Sequence, residues 1–378
     1  MGAELTADAP LPPEWNASTL SMIRRKILAW FSKHRRDLPW RATRDPYRIW
    51  VSEVMLQQTT VTAVIPYFGR FLRAFPTVHE LAAADEQAVL KLWQGLGYYR
   101  RARHLHAAAR TLVRDHAGEL PNDPEVWSSL PGVGRYILGA VLSQAFDSRM
   151  PIVEANTLRV FSRLCGSRLD PRSGIGARWV WAIAERLLPA KRAGDFNQAM
   201  MELGALICTP NSPKCGQCPL ASECVAKAER VQDAIPPKAE RREKTIVREV
   251  AVVLRKAGEV LLCQRPSSAA RWPLMWEVPH GEVGKEESDT DALKRIAASV
   301  GYAFLIGPEI MTIRHTVTRF VIFMTAYEAE VTEGDFSSTH YIAGQWRKPA
   351  EMAGFPTSAP QQILIEELRK KVRQKRLF

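Results

Sequence analysis

Leu130-Pro131-Gly132-Val133-Gly134-Arg135 runs directly into an apolar segment, Tyr136 to Ala145. Two glycines one residue apart permit a tight backbone turn. The helix that follows then presents free N–H groups and a partial positive charge at its start. Such an end suits a phosphate, although an ordinary helix–helix turn has the same pattern. Outward from this point, residues 20–225 read as helical. Apolar residues recur at helical spacing at Leu20, Ile23, Ile27, Trp30 and Phe31, at Val89, Leu92 and Trp93, and at Ile137, Val141 and Leu142. Pro39, Pro46, Pro66, Pro76, Pro121 and Pro131 punctuate the region, which predicts many short helices and no sheet.

The texture changes near residue 230. Segment 230–246 is charged and carries Pro236-Pro237, the composition of a linker. Val247 to Leu254 and Glu259 to Cys263 read as two strands around a Lys256-Ala257-Gly258 turn. Arg319 to Tyr327 reads as a further strand and Ile363 to Val372 as a closing helix. The second half is therefore expected to be a separate α+β domain. The basic tail Arg369 to Arg376 reads as a solvated helix face.

The chain has 378 residues, enough for two or three domains, and its 46% hydrophobic content allows sizeable cores. Residues 1–20 lack the basic-then-apolar start of a signal peptide. No apolar run approaches the ~20 residues needed to span a bilayer. A cytoplasmic location and no membrane partner are expected. The net charge of +12, from 52 basic and 40 acidic residues, favours phosphate-rich partners through counterion release.

Four of the six cysteines, Cys208, Cys215, Cys218 and Cys224, fall in a C-x6-C-x2-C-x5-C array. Four soft sulfur ligands suit a tetrahedral zinc or a cubane iron–sulfur cluster. Zinc ribbons pair two short C-x2-C knuckles, and only one is present here, which tells against zinc. A small disulfide knot is the third possibility, disfavoured where thiols stay reduced. Cys165 and Cys263 read as ordinary buried thiols.

Glu53 lies among Trp50, Val51, Val54 and Met55. A helical carboxyl in apolar company has a raised pKa, as a general acid near neutral pH requires. A salt-bridged or solvent-facing glutamate is the alternative. Gln57 and Gln58 follow, suited to filling the space of a displaced base or probing an opposite strand.

Taken together, these segments resemble the helix–hairpin–helix DNA glycosylases from about residue 25 to 226, and within them the MutY adenine DNA glycosylases. The matching pieces are Leu38-Pro39-Trp40-Arg41, Ser52 to Thr59, Gly95-Leu96-Gly97-Tyr98-Tyr99, Leu130 to Gly134, Phe196 to Ala205 and the cysteine array. The resemblance implies an all-α glycosylase domain over 1–229 with a [4Fe-4S] cluster on Cys208, Cys215, Cys218 and Cys224, a linker over 230–246, and an α+β Nudix-like lesion-recognition domain over 247–378. It implies a bacterial, nucleoid-associated monomer acting on double-stranded DNA that carries adenine opposite 8-oxoguanine or guanine.

The resemblance also assigns roles. Glu53 protonates the flipped adenine, and Tyr136 and Asn156 hold the developing charge and the water. Arg36, Trp40, Arg41 and Glu202 line the adenine pocket. Gln58 and Tyr98 wedge into the helix around the lesion, and Gly132 and Gly134 hold the DNA backbone. Bifunctional relatives carry an imine-forming lysine where this chain has Tyr136, so the lyase route is absent.

Two stretches depart from the family pattern. Val153-Glu154-Ala155-Asn156 stands where the family has Asp-Gly-Asn, so Glu154 is expected to be the sugar-facing carboxylate with one methylene more. In the C-terminal half the Nudix-like resemblance rests on Trp272 to Pro279 and Ile313 to Thr316. The family's lesion-touching Phe-Ser-His is here Val317-Thr318-Arg319, which places Thr318 and Arg319 against the opposite base. Lys294 to Ser299 lacks the glutamates of a Nudix hydrolase. The alternatives to an adenine glycosylase are a glycosylase of altered base specificity and a catalytically weak lesion-binding relative.

Overall fold

The structure, a computed structural model, describes residues 11–238 and 243–374. Residues 239–242 of the expected linker and residues 375 and 376 of the basic tail lie outside the described residues. Contacts divide the chain into two compact units, Met1–Ala82 with Ala107–Glu240, and Ala83–His106 with Arg241–Phe378.

The helices before residue 230 are α1 (Ala17–His34), α2 (Pro46–Leu56), α3 (Val61–Ala74), α4 (Val78–Ala83), α5 (Glu86–Trp93), α6 (Arg100–His116), α7 (Pro124–Ser129), α8 (Arg135–Phe146), α9 (Ala155–Leu164), α10 (Gly174–Leu187), α11 (Ala193–Leu206) and α12 (Val225–Ala228). Among the described residues no strand precedes Thr245, as the punctuated apolar pattern predicts.

Local chemistry sets the helix ends. Asn16 and Thr19 form a reciprocal capping box on α1. Asp45 caps α2 with Pro46 at its first position, and Asp123 with Pro124 does the same for α7. Pro66 differs from the punctuation reading, because it lies inside α3. Burial of Val64, Phe68 and Phe71 on that helix outweighs the missing backbone bond.

In the first unit α8 packs against α2 and α11, and α11 packs against α9 and α1. Trp50 and Trp127 meet edge to face at 5.5 Å, both fully buried. Phe31, Phe161, Phe196, Val160 and Met200 fill the space among α1, α9 and α11. Burying each such side chain is worth about 1.5–3 kcal/mol.

The second unit contains a seven-stranded sheet of order β3-β2-β1-β6-β5, with β4 on β1 and β7 on β2. The strands are β1 (Thr245–Lys256), β2 (Glu259–Gln264), β3 (Trp276–Glu277), β4 (His280–Glu282), β5 (Tyr302–Val317), β6 (Phe320–Gly334) and β7 (Ala343–Arg347). Ala257 (φ 49°) and Gly258 (φ 81°) make the predicted β1–β2 turn. Alternate residues of β1 enter two cores. Val250, Val252 and Leu254 face Ala292, Leu293 and Ile296 of helix α13 (Asp289–Ala298). Ala251 and Val253 share the other core with Met352 of α14 (Pro349–Met352) and Leu364, Ile365 and Leu368 of α15 (Ala359–Gln374).

Segment Ala83–His106 groups with this unit. There the Gln87 side chain donates to the Leu274 carbonyl and accepts from Trp276 Nε1 at 3.0 Å. Strand β5 went unread in the sequence because three register shifts and the near-absence of buried positions blur its alternation.

Candidate active site

Packing of α2 on α8 brings together three polar side chains from an otherwise apolar interface. Glu53 is 2% exposed. Its Oε2 accepts a hydrogen bond from the Tyr136 hydroxyl, and its Oε1 accepts from Gln144 Nε2 at 2.7 Å. Burial raises the Glu53 carboxyl above the usual carboxylate range, against the lowering effect of Tyr136, Gln144 and the Arg41 charge. Burial likewise pushes the Tyr136 phenol well up, helped by the charges of Glu53 and Glu154.

Glu154 is the N-cap of α9. Its two carboxylate oxygens accept from the Asn156 and Thr157 backbone N–H groups, both at 2.8 Å, while Thr157 Oγ1 accepts from the Glu154 N–H. Burial raises its carboxyl, the two backbone bonds and Arg159 pull it down, and the Glu53 charge raises it again. The residue is thus both a cap and an electrostatic neighbour of Glu53. Asn156 Oδ1 accepts from Arg159 Nη2 at 2.9 Å, and the same guanidinium donates to the Gly204 and Cys208 carbonyls.

Arg36, Arg41 and Glu202 form a second polar group. Glu202 is 1% exposed and accepts from the Arg36 N–H, Nε and Nη2 and from Arg41 Nη1 and Nη2, at 2.7–3.1 Å. Burial alone would raise its carboxyl, but the two arginines outweigh it and hold it down at about 2. Arg41 also lies 5.3 Å over the Phe31 ring, and Trp40 meets Phe68 edge to face at 5.4 Å.

Gly132 takes φ 78°, which its lack of a side chain permits, and Gly134 caps α8 without a side-chain bond. Gln58, just past α2, sits in the left-handed region at φ 57°. In the second unit Tyr98 does the same at φ 50° and is 55% exposed. Left-handed backbone at non-glycine residues is costly and concentrates at functional positions. Also in the second unit, Thr318 (φ 52°) and Arg319 form the two-residue tip between β5 and β6. Arg319 and Arg271 both lie over the Phe320 ring, at 5.1 and 5.0 Å.

None of the four arrayed cysteines is in a disulfide. Cys208, Cys215, Cys218 and Cys224 line one partly open cavity. Among the described residues no group of three or more His, Cys, Asp or Glu is gathered as a metal-ion site. Burial pushes the Cys218 thiol up to about 12 and the Cys224 thiol up as well, and the neighbouring sulfurs add to both. A cationic metal centre would supply the missing countercharge, so the donor set fits one. Arg163, 3% exposed, ties the loop down by donating to Cys208 Sγ and to the carbonyls of Thr209, Pro210 and Ile235.

Residues 51–175 match the HhH-GPD superfamily of base excision DNA repair proteins, and residues 249–367 match the NUDIX domain. The solved structure of a thermostable thymine-DNA glycosylase is 30% identical with a TM-score of 0.52, covering 57% of this chain and 100% of that one. The chain belongs to the HhH-GPD superfamily. The adenine DNA glycosylase of Rattus norvegicus is 44% identical over 216 residues, covering 55% of this chain and 42% of the relative. That of Buchnera aphidicola from Acyrthosiphon pisum is 38% identical over 213 residues, covering 56% and 61%. The chain spans about half the length of the curated relatives it matches.

Within this HhH-GPD unit the structure hydrogen-bonds Glu53 to Tyr136 and joins Glu154 to Asn156 at the start of α9. No bond links the two pairs, and Glu154 acts on the first pair through its charge. Arg36, Arg41 and Glu202 gather into a separate group. The sequence reading missed Gln144. Its eight-residue spacing from Tyr136 on one helix places both on the same face, and that was the available signal. Arg159 and Arg163 were missed too; they sit four apart on α9 and are both buried, an unusual state for arginine. In the second unit residues 294–299, at the end of α13, carry no carboxylate, and Arg295 pairs with Glu287 at 2.8 Å.

Proposed function

We propose that this chain is a monofunctional adenine DNA glycosylase of base excision repair, acting on duplex DNA with adenine opposite 8-oxoguanine or guanine. The observation that carries the reading is Glu53, a buried carboxyl whose pKa burial raises and which Tyr136 holds on one oxygen. The superfamily match, and the relatives described as adenine DNA glycosylases, support it.

In this reading adenine leaves the stack and enters beside Arg36, Trp40, Arg41 and Glu202. Glu53 gives its proton to N7, and the glycosidic bond breaks with its electrons going to a neutral adenine. The sugar is left cationic, and Glu154 stabilises it electrostatically. Ionised Glu53 then takes a proton from the water that adds to the sugar, with Tyr136 and Asn156 holding the site. Tyr136 forms no imine, so the product is an intact abasic strand. Gly132 and Gly134 hold the DNA backbone, and Gln58 and Tyr98 wedge into the duplex.

Cys208, Cys215, Cys218 and Cys224 would hold a [4Fe-4S] cluster, whose thiolate bonds would fix the loop around them. Residues 1–229 carry the chemistry, and residues 247–378 read the opposite base through Thr318 and Arg319. The second domain lacks the metal-binding carboxylates for nucleotide hydrolysis.

A catalytically weaker relative is the second reading. It rests on Glu154, whose two oxygens are engaged by the α9 backbone. The deciding experiment is single-turnover cleavage of duplexes with adenine opposite 8-oxoguanine, guanine and cytosine, with and without alkali. Alkali-dependent breakage at adenine opposite the first two supports the proposal; no adenine release from any duplex overturns it.

A further inference from the structure

We propose that Gln144 is a positioning residue that holds Glu53 by Oε1 and so leaves Oε2, the oxygen shared with Tyr136, as the one that carries and delivers the proton. The proposal rests on the adenine-release reading and deepens it. Gln144 Nε2 stands 2.7 Å from Glu53 Oε1, on the side of the carboxyl opposite Tyr136. The Gln144 amide N–H can only donate, so Oε1 stays an acceptor, whereas the Tyr136 hydroxyl donates to Oε2 of the carboxylate and turns to accept when Oε2 carries the proton. The amide must present nitrogen, because its oxygen would repel a carboxylate once Glu53 had given up the proton.

Both residues come from α8, with Tyr136 in its first turn and Gln144 in its last. The helix therefore grips the acid at two points about two turns apart. The groups that face Glu53 from the packed elements are Tyr136 on α8, the Arg41 charge from the turn before α2, and Glu154 at the start of α9. Arg41 favours the ionised acid, whereas Glu154 opposes ionisation. Gln144 adds a neutral donor that favours the ionised form without adding charge. It also keeps Oε1 fixed after proton loss, so the carboxylate faces the incoming water in the geometry it had as an acid.

The test compares the full-length protein with Gln144→Leu and with Gln144→Met, which keeps the length of the side chain. Two readouts are used. Infrared titration of the Glu53 carboxyl, isolated by subtracting Glu53→Gln, needs no substrate. Single-turnover release of adenine opposite 8-oxoguanine is followed from acid to alkaline pH. Both variants are expected to titrate Glu53 at higher pH than wild type. The alkaline limb of the rate profile should move the same way, and the plateau should fall about ten- to a hundredfold, the scale of a misplaced catalytic group. Duplex affinity should not change. An unchanged Glu53 titration overturns the proposal whether or not adenine is released, whereas a shifted titration with no adenine release from wild type overturns only the functional reading. A loss of duplex binding and thermal stability in both variants, in step with activity, would make Gln144 structural and also overturn it.

Discussion

A methyl group on Gly204 would stand 2.6 Å from Cβ of Asn156 and 3.0 Å from its carbonyl oxygen. Helices α9 and α11 therefore touch backbone to backbone at the point where α9 presents Glu154 and Asn156. Gly204→Ala should push the helices apart, at a cost of about 1–3 kcal/mol typical of overpacking. Thermal unfolding should fall by several degrees, and excision should fall more than duplex binding. An unchanged melting curve would show that the contact yields freely.

Glu53→Gln keeps the shape of the acid and removes its proton. Adenine release should vanish in single turnover while duplex binding stays near wild type. Cleavage within about tenfold of wild type would place the acid elsewhere.

Glu154 caps α9 and, under the proposed function, also stabilises the sugar charge; two substitutions divide these roles. Glu154→Ala should lose about 0.5–2 kcal/mol of stability with the cap, and at least about a hundredfold in excision rate with the charge. Glu154→Ser restores a capping oxygen without a carboxylate, so stability should return and the rate should not. If the serine variant recovers both, capping is the whole of the role.

His280 lies buried between Glu249 Oε2 at 3.0 Å and Glu277 Oε2 at 3.3 Å. Burial would lower its pKa, but Glu277 and Glu249 outweigh that and raise it to about 10. The pair's contribution is fully present below the unfolded histidine value of about 6.5. It is lost as pH rises towards about 10. Glu249 and Glu277 are depressed, so their contribution is lost instead as pH falls through the acid range. Stability of the second unit should peak between these limits, and His280→Ala should flatten its alkaline limb. Chemical denaturation at a series of pH values measures both.

Protein isolated without chelators should be brown and hold about four irons per chain. Cys218→Ser should lose the iron and lower the melting temperature, because the bonds from the bound cluster to the other three cysteines would be lost with it. One zinc and no iron by metal analysis would replace the cluster with a single ion.

The helical first half and the paired strands after residue 244 were legible because periodicity reports burial on one face. Glu53 was legible for the same reason, as a lone carboxyl among Trp50, Val51, Val54 and Met55. Gln144 was not, since glutamine on an apolar helix announces no charge and its partner lies 91 residues away. Strand β5 was hidden by its bulges.

Glu202 gathers Arg36 and Arg41 before any base arrives. An arginine side chain has about 2 kcal/mol of rotamer entropy to lose on becoming fixed, and here folding has already imposed that loss twice. Under the proposed function, a base entering beside them meets a rigid template and not a pair of searching side chains. Such a wall does not adapt to a base of the wrong outline, so mismatch between the two appears directly as weaker binding.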